Sequence, residues 1–220
     1  MVNVIIPAGG KSERYSKNTS KLDEIILGKS VLTHTLDAFL THPKIHQIMV
    51  AYPKEEKDTY EKIAQTAGSR LTITPGGNSR AASVYNAFQA LPPSTHVLIH
   101  DAARPNVSHS LIDAIIASLA THPVVIPGIP VTDTIKKVDQ HQIIETINRD
   151  ELMAVQTPQG FHYVELKNAY ASVTDVSPVT DEAGLLEMVG IHGTIIDGET
   201  NNIKITTPID LKVLRAIMPS

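Results

Sequence analysis

The chain has 220 residues, 42% hydrophobic and 19% charged, a balance that predicts a globular protein of about one domain rather than a disordered one. A net charge of −4 leaves no basic excess for a nucleic-acid backbone, and 4% aromatic content without Trp leaves no platform for stacking bases. The absence of Cys excludes disulfides, thiolate zinc sites and cysteine nucleophiles.

In chain order, apolar β-branched runs predict strands over 2–6, 47–52, 70–74, 96–100 and 123–126. Between them, Ser30 caps a predicted helix whose Val31, Leu32, Thr35, Leu36 and Phe39 recur at helical spacing. Similar periodicity predicts helices over 54–65, 80–91 and 109–120. Alternating βα units imply α/β architecture: a mainly parallel sheet with helices on both faces. Ligands of such sheets bind at the carboxyl ends of the strands, so the residues just after each strand are the functional candidates. The alternation then breaks. Residues 131–138 and 142–147 read as two strands around Asp139-Gln140-His141, a hairpin too polar for a core. An isolated hairpin is marginal in water, so this one needs something to pack against, and a second subunit is the natural candidate. Helices over 163–173 and 181–189, strands over 193–196 and 202–205, and a helix over 209–217 opened by Pro208 complete the chain. The expected organisation is a single domain over 1–220, with the hairpin at about 130–150.

No apolar run reaches transmembrane length, and the N-terminus begins in a strand without a basic leader. These features predict a cytoplasmic protein without membrane association, with the chain as given its mature form. The ten His residues are scattered without metal-ligand spacing, so no protein metal site is expected.

The most informative stretch is Val4-Ile5-Ile6-Pro7-Ala8-Gly9-Gly10-Lys11-Ser12-Glu13-Arg14, followed by Lys21. A strand ends in glycines that admit a ligand close to the backbone, and Arg14, Lys21 and Lys11 are placed to neutralise a polyanion. Two phosphate loops are excluded. Gly10-Lys11-Ser12 and Gly28-Lys29-Ser30 end like a Walker A motif, but the required upstream glycine positions hold Ile5 and Asp23. Ser12 and Arg14 likewise break the dinucleotide fingerprint. A nucleoside triphosphate in a nucleotidyltransferase-style loop remains, beside the plainer reading of a βα turn with solvated lysines.

Four further clusters carry candidate chemistry. Asp101, after the strand at 96–100, is placed for a metal ion or for sugar hydroxyls, and Arg104 pairs with it or holds an anion. Gly76-Gly77-Asn78-Ser79 leads into a helix where backbone groups and Ser83 can read a base edge. Lys204, in a short apolar stretch, needs an anion from protein or substrate. In Gln156-Thr157-Pro158-Gln159, Thr157 can donate to a phosphate. No Ser–His–Asp or Cys–His set is present, and phosphoryl-type transfer needs none, because positioning and charge stabilisation suffice.

Taken in order, Pro7-Ala8-Gly9-Gly10, Arg14, Lys21, Gly76-Gly77, Arg80, Ser83-Val84, His100-Asp101-Ala102-Ala103-Arg104-Pro105, Pro130-Val131-Thr132-Asp133-Thr134, Arg149, Gln156-Thr157-Pro158-Gln159, Thr180-Asp181-Glu182-Ala183 and Asn202-Ile203-Lys204-Ile205-Thr206 resemble the 2-C-methyl-D-erythritol 4-phosphate cytidylyltransferase family. The resemblance implies a Rossmann-like nucleotidyltransferase fold with a protruding β-arm and a homodimer joined through that arm. It implies cytidylyl transfer from CTP to 2-C-methyl-D-erythritol 4-phosphate, with Mg²⁺ bound mainly through the CTP phosphates and pyrophosphate released, in non-mevalonate isoprenoid biosynthesis. Carried over residue by residue, Arg14 and Lys21 stabilise charge on the α-phosphate and the pyrophosphate. Ala8, Gly9, Gly10, Gly77, Asn78 and Ser83 hold cytosine and ribose. Asp101, at the junction with the nucleotide, and Arg104 contact hydroxyls of the acceptor. Lys204 steers the attacking phosphate, Thr134 and Arg149 reach the phosphate bound by the neighbouring subunit, and Thr157 adds a hydrogen bond. Ser12, Leu22-Asp23, Met153 and Gly184 depart from the family's usual residues without removing a proposed catalytic group. Two alternatives stand beside this reading: ribitol 5-phosphate cytidylyltransferase, with the same fold and chemistry, and a non-catalytic nucleotide-binding module. The module would require a lost catalytic residue, and Arg14, Lys21, Asp101 and Lys204 are all present.

Overall fold

A computed structural model of the chain describes residues 1–9, 15, 20–173 and 179–218. In chain order the elements are β1 (Val2–Pro7), β2 (Ile25–Ile26), β3 (Lys29–Ser30), α1 (Val31–Leu40), β4 (Ile45–Tyr52), α2 (Lys57–Ala67), β5 (Leu71–Pro75), α3 (Arg80–Ala90), β6 (His96–Ile99), α4 (His109–Ser118) and β7 (Val124–Pro130). There follow β8 (Ile135–Asp139), β9 (Gln142–Ile147), β10 (Met153–Val155), β11 (Gln159–His162), α5 (Tyr163–Ser172), α6 (Glu182–Glu187), β12 (Thr194–Asp197) and α7 (Pro208–Ile217).

β5, β4, β1 and β6 lie side by side in parallel. β11 runs antiparallel between β6 and β7. β7 also pairs antiparallel with β10 near its end and parallel with β12. The strands therefore share one direction except for β10 and β11, and the expected mainly parallel sheet is present.

Period-two alternation divides the core between the two faces. Val4 and Ile6 of β1 join Ile48, Val50 and Leu98 beneath α1, α2, α4 and α7. Ile5 turns the other way and joins Met49, Ala51, Val97 and Ile99 beneath α3, α5 and α6. Local signals agree with this packing. Ser30 accepts from Thr33 N to cap α1, and Thr207 and Asp210 form a capping box before Pro208 on α7.

Two sequence expectations are corrected. The stretch 202–205 is not a strand, because only Ile205 N bonds to another main-chain segment, at Ala103 O, while Asn202 O accepts from Arg104. The segment around Gln159 supplies the central strand β11 instead of a polar loop. Four residues that include a glycine give too short an apolar pattern to read as a strand. The hairpin of β8 and β9 forms its own two-stranded sheet with no buried residue, and Gln140 and His141 at its turn take φ of 42° and 69°.

β11 passes so close beneath α4 that a Cβ on Gly160 would lie 2.6 Å from Ile115 Cγ2 and 2.9 Å from Leu119 Cδ1. Both side chains are fully buried and have no room to withdraw. Gly160→Ala should therefore lower the unfolding free energy by about 1–3 kcal/mol in urea titration; an unchanged midpoint would contradict this packing.

Candidate active site

At the carboxyl ends of β1, β4, β5 and β6 lies a cleft of about 970 Å³. Its walls include Pro7, Ala8 and Gly9 after β1, Lys21 and Leu22, the glycine turn Gly76-Gly77-Asn78, and Asp101, Ala102 and Ala103 after β6. Lys204 and Thr206 line it from the segment before α7. Its volume is that of a nucleotide-sized site, in the position this sheet topology favours for ligands.

The glycine turn is shaped by α3. A Cβ on Gly77 would lie 2.5 Å from Ala82 Cβ and 2.9 Å from the Ala82 backbone carbon, so a side chain there would force the helix away. Ser79 caps α3 by accepting from Ala82 N at 3.0 Å. The Ser83 hydroxyl donates to Ser79 O at 2.8 Å and accepts from Gly77 N at 3.0 Å. Ser83 therefore spends its only proton on the turn and keeps one lone pair, so it can meet a base only as an acceptor.

Opposite stands Asp101. Its Oδ2 meets Lys204 Nζ at 2.7 Å and Arg104 Nε at 3.9 Å, and its Oδ1 accepts from Arg80 Nε at 3.2 Å. Burial raises a carboxyl pKa, but Arg80, Lys204 and Arg104 outweigh it and hold Asp101 far below the usual carboxylate range. Arg80 Nη1 also donates to both oxygens of Glu182, at 3.0 and 3.3 Å. Burial works against the Arg80 charge, but Glu182 and Asp101 overcome it and raise its pKa. Glu182 is 1% exposed. Burial raises the Glu182 pKa, with Arg80 opposing it, and Arg80, Arg104 and Lys204 outnumber Asp101 and Glu182, so the network keeps a net positive charge.

Lys21 adds another charge to the cleft. Its Nζ donates to Ile205 O at 2.8 Å, while Ile205 N donates to Ala103 O at 2.9 Å. The segment that carries Lys204 thus also fixes Lys21 from the other end of the chain. Such a rim attracts anions, and buried ion pairs hold it in shape.

The turn bearing Asp101 is secured from below. Arg104 N donates to Asp101 O at 3.0 Å, and Asp101 N donates to Thr157 Oγ1 at 3.0 Å. His100 is fully buried, with Nε2 3.0 Å from Arg104 O and Nδ1 3.2 Å from Thr157 Oγ1. A carbonyl only accepts, so Nε2 carries the proton and Thr157 donates to a bare Nδ1.

The IspD family model, 2-C-methyl-D-erythritol 4-phosphate cytidylyltransferase, matches residues 2–220. The chain belongs to this family. It is 36% identical to the 2-C-methyl-D-erythritol 4-phosphate cytidylyltransferase of Bacillus mycoides, across 99% of this chain and 98% of that one. It is 40% identical to that of Shewanella piezotolerans, across 95% and 91%. The crystal structure of 4-diphosphocytidyl-2C-methyl-D-erythritol synthase from Anaerococcus prevotii superposes with a TM-score of 0.84 at 29% identity, covering 98% of this chain and 94% of that one. Membership in the IspD family favours neither alternative weighed from the sequence.

Of the residues expected from the IspD resemblance, the cleft gathers Ala8, Gly9, Lys21, Gly77, Asn78, Ser83, Asp101 and Lys204. Gly10, Lys11, Ser12 and Arg14 lie outside the described residues. Arg104 stands just behind Asp101 and donates Nη1 to Asn202 O at 2.7 Å. Thr157 is corrected: it is 5% exposed, and its hydroxyl positions Asp101 and His100 instead of facing a ligand. Thr134 and Arg149 are exposed near the hairpin, away from the described walls of their own chain's cleft, and Arg149 Nη1 donates to Thr132 O at 2.5 Å. Asp101, left open in the sequence between a metal ion and sugar hydroxyls, has cations against both of its oxygens. Among the described residues, no three His, Cys, Asp or Glu side chains group to hold a metal ion. Nor is any helix there long and apolar enough to cross a membrane.

Arg80 and Glu182 had no role in the sequence reading. Arg80 follows a recognisable cap residue, but nothing local indicates a carboxylate 102 positions away.

Burial holds the His100 pKa down at about 4. The unfolded imidazole titrates near 6.5, so the folded state favours the neutral ring. His100 therefore contributes stability that is complete above about pH 6.5 and is lost as pH falls toward 4, by roughly 3 kcal/mol in all. An NMR titration should place its midpoint near pH 4; a midpoint near 6.5 would contradict the buried neutral ring.

Proposed function

We propose that this protein transfers the cytidylyl group of CTP to 2-C-methyl-D-erythritol 4-phosphate, giving 4-diphosphocytidyl-2-C-methyl-D-erythritol and pyrophosphate in non-mevalonate isoprenoid biosynthesis. The observation that carries this reading is one cleft, in a chain of the IspD family, that combines a glycine turn, Lys21, Lys204 and a buried ionised Asp101.

In the proposed reaction a phosphate oxygen of the acceptor attacks the α-phosphorus of CTP. The new oxygen–phosphorus bond forms as the bond to the β-phosphate oxygen breaks, and that electron pair leaves with pyrophosphate. No covalent enzyme intermediate is needed, so the protein's work is alignment and charge compensation. Lys21 and Arg14 oppose charge growing on the α-phosphate and the leaving group. Lys204 spends one of its three N–H donors on Asp101 and keeps two for the attacking phosphate. Asp101 accepts from acceptor hydroxyls, with Arg104 supporting it from behind. Ala8, Gly9, Gly10, Gly77 and Asn78 enclose cytosine and ribose, and Ser83 accepts from the base.

The cation-filled surroundings of Asp101 do not suit a divalent ion. We therefore assign Mg²⁺ to the CTP phosphates, where it would lower the charge of the triphosphate. We further propose a cytoplasmic homodimer that works where CTP is supplied. Val138, Ile143 and Ile144 on the β8–β9 hairpin are 59%, 65% and 57% exposed, apolar surface that supports burial against a second subunit. In such a dimer Thr134 and Arg149 serve the phosphate held by the partner's cleft.

With CTP, Mg²⁺ and 2-C-methyl-D-erythritol 4-phosphate, ³¹P NMR should show a diphosphate diester and free pyrophosphate; neither signal forming would refute the proposed reaction. Lys21→Ala should lower kcat by about 10² to 10³, the scale of losing one preorganised charge stabiliser, as read by continuous pyrophosphate assay; near-native kcat would remove Lys21 from the mechanism. Mixing Lys21→Ala with Arg149→Ala subunits should restore activity, because one site of each mixed dimer is intact. Mixed dimers that form without regaining activity would show that Arg149 does not act across the interface.

A further inference from the structure

Arg80 lines the cleft but differs from the other cations there. Its Nε holds Asp101 Oδ1, and its Nη1 holds both oxygens of Glu182. One guanidinium charge is thus divided between two carboxylates, leaving little for a substrate phosphate. Lys204 commits less of itself, since Asp101 takes one of its three donors.

Glu182 is equally unusual. It opens α6 on the buried side, among Ala183, Leu185 and Leu186, and does not line the cleft. A carboxylate in that setting is costly unless paired, and Arg80 pairs with it. Arg80 is the first residue of α3, directly after Ser79, whose backbone and side chain shape the glycine turn. Glu182, Arg80 and Asp101 therefore form a rigid bridge from α6, through the start of the nucleotide-side helix, to the acceptor-side carboxylate.

We propose that Arg80 and Glu182 are positioning residues of the transfer reaction: Glu182 anchors Arg80, and Arg80 holds Asp101 Oδ1 while Lys204 holds Oδ2, so that the carboxylate keeps one orientation and presents its remaining lone pairs to the acceptor. The inference rests on the reading of Asp101 as an acceptor-binding group. Through the same bridge, the glycine turn and Asp101 keep a fixed separation, which sets the two substrates in register.

A double-mutant cycle in the full-length protein, with steady-state KM measured for each substrate, tests this. Arg80→Gln should raise the KM for 2-C-methyl-D-erythritol 4-phosphate about tenfold, the scale of one charge-assisted hydrogen bond, and leave the CTP KM unchanged. Asp101→Asn should also raise the acceptor KM, and adding Arg80→Gln to it should change little more, because Arg80 acts through Asp101. Glu182→Gln should reproduce the acceptor effect alone and add nothing to Arg80→Gln. The Arg80→Gln/Glu182→Gln protein removes both charges together, so it tests the same effect without leaving Glu182 as an unpaired buried charge. Additive effects, or a raised CTP KM with Arg80→Gln, would overturn the proposal. An Asp101→Asn protein with unchanged acceptor KM would instead remove the underlying reading of Asp101, and the proposal with it.

Discussion

The buried carboxylate of Asp101 is the constraint around which this molecule is arranged. An ionised carboxylate at 8% exposure is tolerable only when cations compensate it, and here they come from three separate segments. Arg80 arrives on α3, Arg104 from the turn after β6, and Lys204 from the extended segment before α7. Each cation orders the segment that carries it. Arg104 ties down Asn202, the Lys204 segment receives Lys21, and Arg80 reaches across to α6. The cleft and the ion network are consequently one structure, and the network's net positive charge is what an anionic ligand meets.

The antiparallel strand β11 makes this arrangement possible. Because it runs opposite to β6, the chain enters β11 at the carboxyl end of β6, with Gln159 opposite Ile99. Thr157 is thereby delivered beside Asp101 and His100, where its hydroxyl joins the two. A further parallel strand would enter from the opposite end of the sheet and leave this position empty. A neutral His100 suits the site as well, since a second charge beneath Asp101 would compete for the same carboxylate.

Much of the fold was legible in the sequence, for physical reasons. β1, β4 and β6 are buried on both faces over most of their length, so their apolar runs stood out, the edge strand β5 showed the alternation of Leu71 and Ile73 with Thr, and α1 and α7 carried plain cap residues. β11 escaped notice because Gly160 and the neighbouring Pro158 resemble a turn, although the glycine is there to admit α4. The stretch around Lys204 resembled a strand because its apolar residues fill the core, while its backbone bonds go elsewhere. Among site residues, the glycine turn, Lys21, Asp101 and Lys204 were legible because each follows a strand or interrupts an apolar run. Thr157 was misassigned and Arg80 and Glu182 were given no role, because their partners lie far away in sequence and no local pattern encodes a long-range ion pair.

Acceptor choice tests the central claim most directly, because a related polyol phosphate would meet the same cations and the same Asp101. Pyrophosphate release should be measured from CTP and Mg²⁺ with 2-C-methyl-D-erythritol 4-phosphate and with ribitol 5-phosphate in parallel. The account predicts release with the methylerythritol substrate and little with ribitol 5-phosphate. Release with ribitol 5-phosphate alone would preserve the fold and the chemistry but contradict the proposed place in isoprenoid synthesis.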